Sequence, residues 1–169
     1  ALLGGLQVSL LVSGGGTLVQ RRERAVHAGA LTKLAGWLGA FEATWSSTNP
    51  IDLDLCTRCN ACIDACPESA IDFSYQIDMA RCKSHRECVR VCEAAGAIDF
   101  QRAARETSEA FDLVLDLRSM PAFTQHAPPQ GYFHAGSDET KLWGAVLKLR
   151  DLVGEFDKPK FFAYKPKLC

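Results

Sequence analysis

The chain has 169 residues, of which 47% are apolar and 23% are charged, with a net charge of −1. This composition excludes a fully disordered chain, and the balanced charge argues against a nucleic-acid partner. The longest apolar stretch, Leu6 to Val12, is far shorter than the roughly 18–20 residues that a membrane-spanning helix needs. Cysteine departs from the average, because seven of the eight cysteines fall between Cys56 and Cys92.

Residues 1–49 are predicted to form a β-rich N-terminal fragment. Leu6 to Ser13 is typical of a strand, and the glycine loop Gly14-Gly15-Gly16 follows it. The loop lacks both the dinucleotide fingerprint and the P-loop lysine, so a plain turn is favoured over a phosphate site. The start also lacks the basic segment and the cleavage site of a signal peptide, and we expect a cytoplasmic protein.

The stretch from Ala30 to Trp45 fits two structures. Its apolar residues recur at helical spacing, but Gly36 and Gly39 would each weaken a helix by about 1 kcal/mol. Its second half alternates apolar and polar residues, as strands do. We therefore predict a hairpin that turns at residues 36–39.

Residues 102–169 are predicted to form an α/β segment. A strand from Phe111 to Leu117 is followed by a loop of about twenty residues, and Ser137 or Asp138 then caps a helix. The buried stripe of that helix comprises Leu142, Ala145, Val146, Leu149, Leu152 and Val153.

Two features of this segment resemble binding sites, but a structural interpretation is favoured for each. His126 and His134 in the loop could hold a metal, but aromatic packing of the loop over the core is favoured. The strand from Phe161 to Tyr164 is interpreted as an edge strand protected by charge, and not as a nucleic-acid patch. The charges come from the flanking residues Lys158, Lys160, Lys165 and Lys167. The chain ends on Cys169, so we expect a piece of a longer protein with a further cysteine motif downstream.

One internal repeat dominates the chain. Ile51 to Cys56 aligns with Ile77 to Cys82 at a shift of 26 residues, and Cys62 and Cys66 align with Cys88 and Cys92. Residues 70–73 recur as residues 97–100 at a shift of 27, so the second copy has one extra residue. Each copy is predicted to form a strand, a cysteine loop, a short helix and a second strand, which together make a pseudo-twofold α+β unit.

The first copy reads Cys56-x2-Cys59-x2-Cys62-x3-Cys66-Pro67. Disulfides are disfavoured, because four cysteines within eleven residues cannot all reach bridge geometry. Structural zinc sites usually divide their ligands into two knuckles a dozen or more residues apart. The spacing is instead typical of iron–sulfur binding. In such motifs three thiolates on one loop bind one cluster, and the fourth thiolate binds a second cluster.

The segment from Cys56 to Phe100 resembles the bacterial-type ferredoxin domain with two [4Fe–4S] clusters, and we assign residues 50–101 to this domain. The resemblance implies an α+β, pseudo-twofold dicluster ferredoxin fold, flanked here by the partial α/β segments. It implies that cluster I is held by Cys56, Cys59, Cys62 and Cys92. It implies that cluster II is held by Cys66, Cys82, Cys88 and a fourth ligand between the last two.

The second motif departs from the family. His85 stands where the family has a cysteine, and Glu93 replaces the usual proline. Three outcomes stay open: His85 ligates the fourth iron of a [4Fe–4S] cluster, the site holds a [3Fe–4S] cluster, or solvent takes the fourth position.

A weaker resemblance extends towards the N-terminus. Leu34 to Phe41, with Pro50 and Asp52, is similar to the lead-in to the ferredoxin insert of heterodisulfide reductase A subunits. The parent would then be a polyferredoxin or a protein of that kind. We expect electron transfer to a partner protein or domain, with no catalytic residues here. The alternative is an internal electron wire of a flavin- or molybdenum-type oxidoreductase whose catalytic site lies elsewhere.

Overall fold

The computed structural model describes residues 5–14 and 24–154. Within these residues the chain forms two compact units. The first comprises residues 7–14, 24–35 and 42–110, and the second comprises residues 5–6, 36–41 and 111–154. The predicted strand from Phe161 to Tyr164 and Cys169 lie outside the described residues, as do Gly15 and Gly16.

The first unit begins with a short parallel pair of strands. β1 (Leu10–Val12) pairs with β2 (Val26–Ala28), and Leu10 lies opposite Val26. The strand predicted from Leu6 to Ser13 is thus shorter than expected. Only three of its residues pair with residues of β2. At the two ends of this pair, the Leu10 N–H donates to the Ala25 carbonyl oxygen and the Gly29 N–H donates to the Val12 carbonyl oxygen.

The predicted hairpin is confirmed. β3 (Ala30–Trp37) and β4 (Ala40–Ser47) are joined by a two-residue turn, Leu38-Gly39, and Gly39 adopts a φ of +74°. Gly36 has a φ of +111°, and a Cβ there would lie 2.1 Å from the Ala40 carbonyl oxygen. Glycine therefore permits the close approach of the two strands. The alternating residues of β4 are buried, as predicted: Phe41, Ala43 and Trp45.

A third strand, β5 (Arg105–Phe111), joins the outer side of β4 and was not predicted. Its sequence, RETSEAF, is mostly polar, and none of its residues is buried. Side-chain hydrogen bonds help to attach it, since the Ser108 hydroxyl contacts both Thr44 and Glu42 at 3.0 Å. Such an edge strand carries little hydrophobic periodicity for a sequence pattern to detect.

The two copies of the cysteine repeat share one pattern of backbone hydrogen bonds. Each contains a short helix, α1 (Ala61–Asp64) or α2 (Glu87–Val91). The predicted strands are reduced to two antiparallel bridges, Ile51 with Ile98 and Ile71 with Ile77. Ile51 corresponds to Ile77 under the repeat, and Ile71 corresponds to Ile98. In both bridges, therefore, the first strand of one copy pairs with the closing strand of the other copy.

The side chain of Asn49 ties these bridges together. Its amide nitrogen donates to the carbonyl oxygens of Ile51 and Tyr75 at 2.9 Å each. Its oxygen accepts from the N–H groups of Ile51 and Ile77 at 3.3 Å. One side chain thereby satisfies four backbone groups around three residues that are buried.

The second unit contains a parallel strand pair and the longest described helix. β6 (Val114–Asp116) pairs with β7 (Tyr132–His134), and α3 spans Glu139–Asp151. The predicted strand from Phe111 to Leu117 is interrupted, because β5 ends at Phe111 and Asp112 turns to accept the Gly39 N–H.

The prediction for α3 is largely confirmed. Asp138 is the N-cap, and its side chain accepts from the Lys141 N–H at 3.0 Å. Ala145 and Leu149 are buried at the centre of the predicted stripe. Val153 is 43% exposed, and its place in the stripe was wrong because the helix ends at Asp151.

The loop between β6 and β7 packs through its aromatic residues. The Phe123 ring meets Tyr132 edge-on at a centroid distance of 4.9 Å and lies 6.4 Å from Phe41. His134 donates its Nε2–H to the Arg118 carbonyl oxygen at 2.8 Å, whereas His126 is exposed. The packed aromatic loop, and not a pair of metal-binding histidines, is what this geometry favours.

A buried carboxylate organises the same loop. The Asp116 side chain accepts from the Tyr132 hydroxyl at 2.7 Å, from Arg118 at 2.7 Å and from the Ala122 N–H at 3.0 Å. Burial by itself would raise the pKa of Asp116, but these hydrogen bonds outweigh burial and lower the pKa to about 2. The Asp116 carboxylate is therefore charged at neutral pH, and its oxygens accept hydrogen bonds from Tyr132, Arg118 and Ala122.

We expect Asn49→Ala to destabilise the iron-loaded protein by about 2 kcal/mol, because two buried N–H groups lose their acceptor and two carbonyls lose their donor. At this chain length the thermal midpoint should fall by about 4–8 °C, measured by circular dichroism. Asn49→Asp keeps the acceptor but places a carboxylate oxygen against the Ile51 and Tyr75 carbonyl oxygens, so it should not restore the stability. A wild-type thermal midpoint in Asn49→Ala would contradict this role of the side chain.

We expect Asp116→Asn to lower the free energy of unfolding by about 2 kcal/mol at pH 7. The pKa of about 2 in the folded protein lies below the ordinary aspartate value of 3.8. The stabilisation is thus complete above about pH 4 and is lost as the pH falls through 2. Urea titrations followed by tryptophan fluorescence should show the two proteins converging at low pH. The exposed control, Asp151→Asn, should match the wild type throughout; a pH-independent gap for Asp116→Asn would contradict the assignment.

Candidate metal centre

Both cysteine loops curl through left-handed backbone. In the first loop Arg58 and Asn60 have φ values of +58° and +69°, and in the second loop Ser84 and Arg86 have +61° and +64°. The two pairs are related by the shift of 26 residues. Non-glycine residues rarely adopt this conformation, and alternation with right-handed residues turns backbone N–H groups towards a concavity that suits anions.

The first group of thiols combines both copies of the repeat. Burial raises the pKa of Cys62 to about 12, with further increases from Cys56, Cys92 and Cys59. Burial likewise raises the pKa of Cys56, and Cys92 and Cys59 add to it, although the Arg58 N–H and guanidinium oppose the rise. Cys59 and Cys92 raise the pKa of both Cys56 and Cys62, so the four thiols lie close together. They are the four that the sequence resemblance assigns to cluster I.

Cys59 differs from its neighbours because it is exposed. Hydrogen bonds from the Ala61 N–H and from Thr57 lower its pKa. The thiolate is the form that binds iron, so Cys59 is the member of the group that is readiest to coordinate. The buried members gain most from a metal, because a cation offsets the cost of a buried thiolate.

The second group comprises Cys66, Cys82 and Cys88. Burial raises the pKa of Cys88, and Cys66 and Cys82 raise it further. The Ala70 N–H lies 3.3 Å from the sulfur of Cys66, as the Arg58 N–H lies 3.4 Å from the sulfur of Cys56. Hydrogen bonds of this kind to sulfur are among the features that set the potential of an iron–sulfur cluster.

The side chain of Tyr75 supports the first cysteine loop through hydrogen bonds. Its side chain is fully buried, and its hydroxyl donates to Asn60 Oδ1 at 2.6 Å and lies 3.3 Å from the Arg58 carbonyl oxygen. Burial raises the pKa of this hydroxyl, and the neighbouring Cys56 and Cys62 raise it further. Tyr75 therefore stays neutral and holds both left-handed residues of the loop.

His85 lies on the rim of the second group. It lines a small cavity with Cys66, Cys82 and Cys88, and its Nε2 is 3.1 Å from the Glu68 carboxylate. Its side chain is 48% exposed. Two cations flank it in the same loop: Arg86 stacks 3.6 Å above the Phe100 ring, and Arg81 donates to the Glu68 carbonyl oxygen.

The donor set suits a cluster better than a single ion. Across residues 5–14 and 24–154, no three His, Cys, Asp or Glu side chains are arranged to hold one metal ion. A cubane iron–sulfur cluster takes each thiolate at a different iron, so its ligands surround a volume instead of meeting at a point. Four neighbouring thiols on a concave backbone fit that requirement.

Sequence reasoning missed three residues that shape the centre: Asn49, Glu68 and Tyr75. Asn49 precedes Pro50 and Glu68 follows Pro67, but neither position belongs to a metal-binding spacing. Tyr75 lies between the two copies, where the repeat offered no pattern to interpret. Their contacts arise only when distant segments come together.

Comparisons with known proteins agree with this chemistry. Residues 50–72 match the 4Fe-4S binding domain family. The chain is 38% identical over 50 residues to a protein of Methanothermobacter marburgensis named pyruvate synthase subunit PorD. That match covers 29% of this chain and 62% of the relative, so the chain spans less than two thirds of the relative's length.

No helix among the described residues is long and apolar enough to cross a membrane.

The matched family and the ferredoxin-like spacing of the cysteines agree on the chemistry of residues 50–72. Residues 50–72 thus have the sequence of a 4Fe-4S binding domain.

Proposed function

We propose that this chain carries electrons through two iron–sulfur clusters as part of a larger redox protein. Cys56, Cys59, Cys62 and Cys92 hold a [4Fe–4S] cluster I, and Cys66, Cys82 and Cys88 hold cluster II. The fold of residues 50–101 is a pseudo-twofold dicluster ferredoxin domain, between a β-rich segment at 1–49 and an α/β segment at 102–169.

The exchange of one cysteine between the two copies carries the proposal. Cys92 belongs to the second copy, yet it raises the pKa of Cys56 and Cys62 in the first group. Cys66 belongs to the first copy, yet it raises the pKa of Cys88 in the second group. A domain with one cluster would not need a cysteine from a second copy of the repeat. In a domain with two clusters, Cys92 of the second copy supplies the fourth ligand of the first cluster.

The matching backbone of the two copies supports two sites of similar shape. The Cys56 N–H donates to the Asp52 carbonyl oxygen, and the Cys82 N–H donates to the equivalent oxygen of Asp78. The helix caps at Asn60 and Arg86 are left-handed in both copies. Such duplication favours electron transfer between two centres over a single structural metal.

A larger redox assembly supplies the partners in this proposal. The relative from Methanothermobacter marburgensis is named as a subunit of pyruvate synthase, so a chain with related sequence serves within a multi-subunit enzyme. We infer that electrons enter and leave through a partner protein or domain. In the alternative, the parent is a flavin- or molybdenum-type oxidoreductase, which the absorbance spectrum of the purified parent protein would reveal.

Reconstituted protein should contain about eight irons with matching sulfide, or about seven irons if cluster II is a [3Fe–4S] centre. Cys56→Ser should remove cluster I and leave about three or four irons. Cys169→Ser makes the same chemical change outside both groups and should leave the count unaltered. Iron, sulfide and zinc analysis of anaerobic protein measures this; two zincs without labile sulfide would refute the proposal.

Cluster II should have the higher reduction potential. Positive charge near a cluster favours the reduced form, as does replacing a thiolate by a neutral imidazole. The first loop offers Arg58 against Asp54 and Asp64, and the second half offers Arg81, Lys83, Arg86 and Arg90 against Glu87.

Anaerobic titrations monitored by electron paramagnetic resonance (EPR) should therefore show His85→Cys lowering the potential of cluster II. Arg86→Ala should lower it less, by on the order of tens of millivolts, because the charge is exposed and screened. A His85→Ala variant with wild-type potential, spectrum and iron content would remove His85 from the ligand set. The asymmetry would then depend on the surface charges alone.

A further inference from the structure

The histidine of the second loop contacts a carboxylate from the first copy of the repeat. His85 Nε2 lies 3.1 Å from Oε1 of Glu68, and both residues line the cavity that Cys66, Cys82 and Cys88 also line. A carboxylate can only accept a hydrogen bond, so Nε2–H is the donor. In a neutral imidazole the lone pair that can bind a metal then lies on Nδ1.

Folding stability gives little reason for this contact. The His85 and Glu68 side chains are 48% and 36% exposed, and exposed ion pairs contribute little to stability. The backbone of Glu68 is nevertheless held in place, because Arg81 Nη2 donates to its carbonyl oxygen at 3.1 Å. The consequence of the contact is the orientation of the imidazole ring.

The first copy of the repeat provides an internal comparison. At the shift of 26 residues, His85 corresponds to Cys59 and Glu68 corresponds to Ala94. The carboxylate thus occurs only opposite the histidine. A thiolate has one donor atom and needs no choice of tautomer, whereas an imidazole has two ring nitrogens and must present the correct one.

We infer that Glu68 is a positioning residue that holds the proton of His85 on Nε2, so that Nδ1 binds the fourth iron of cluster II. The inference rests on the proposed function, in which cluster II occupies the second group of thiols. Metal-binding histidines commonly donate their second N–H to a carboxylate, and loss of that partner typically costs about 10–100-fold in metal affinity.

The test uses the full chain, reconstituted with iron and sulfide. Pulsed EPR of the reduced protein should detect a nitrogen coupled to cluster II, and His85→Ala should abolish it. The amide of Glu68→Gln can donate as well as accept, so it no longer fixes the tautomer of His85. This variant should weaken binding of the fourth iron by about 10–100-fold, so that chelator challenge lowers the count from about eight irons to about seven. Glu87→Gln is the matched control, because Glu87 lines the same cavity but binds Arg90. It should match the wild type in iron count and in nitrogen coupling.

A second set of variants, made in the His85→Cys protein, distinguishes an effect on the orientation of the His85 ring from an effect on folding. In His85→Cys protein the thiolate needs no positioning, so adding Glu68→Gln should change neither the iron count nor the spectrum. Equal iron loss in both backgrounds would overturn the inference, as would two intact clusters without nitrogen coupling, and the proposed function would survive either result. Protein with no iron and no sulfide would overturn the proposed function and this inference together.

Discussion

The crossed pairing of the two copies is the constraint on which the centre depends. The Asp52 N–H donates to Ala97 of the second copy, and the Asp78 N–H donates back to Ala70 of the first. These bonds bring Cys92 beside Cys56 although the two are far apart in the sequence. Without them the first loop would keep Cys56, Cys59 and Cys62 but lack Cys92, and the second loop would keep only Cys82 and Cys88 and lack Cys66.

The cost of burial explains why the centre needs a metal. Cys56, Cys62 and Cys88 are buried, and burial raises the pKa of each. Such thiols favour the protonated state and pack as apolar groups until a cation compensates the thiolates. Cys59 differs from these three thiols, because it is exposed and hydrogen bonds lower its pKa.

The two halves are alike in backbone and unlike in surroundings. The first loop is supported by a fully buried tyrosine, and its cation, Arg58, is also buried. The second loop is open to solvent at His85, and its arginines are engaged at the surface with Glu87 and Phe100. Under the proposed function, these different electrostatic surroundings would give the two clusters different potentials.

The sequence by itself determined the cysteine spacing, the repeat, the glycine hairpin and the capped helix α3, because each depends on residues close together in the chain. The tertiary structure decided the features that depend on distant residues. Polar β5 is held by the strand beside it, Asn49 is bonded across the repeat, and Glu68 meets His85 from the other copy. Hydrophobic periodicity and motif spacing record local preferences, and a contact between polar side chains of two segments leaves no trace in either.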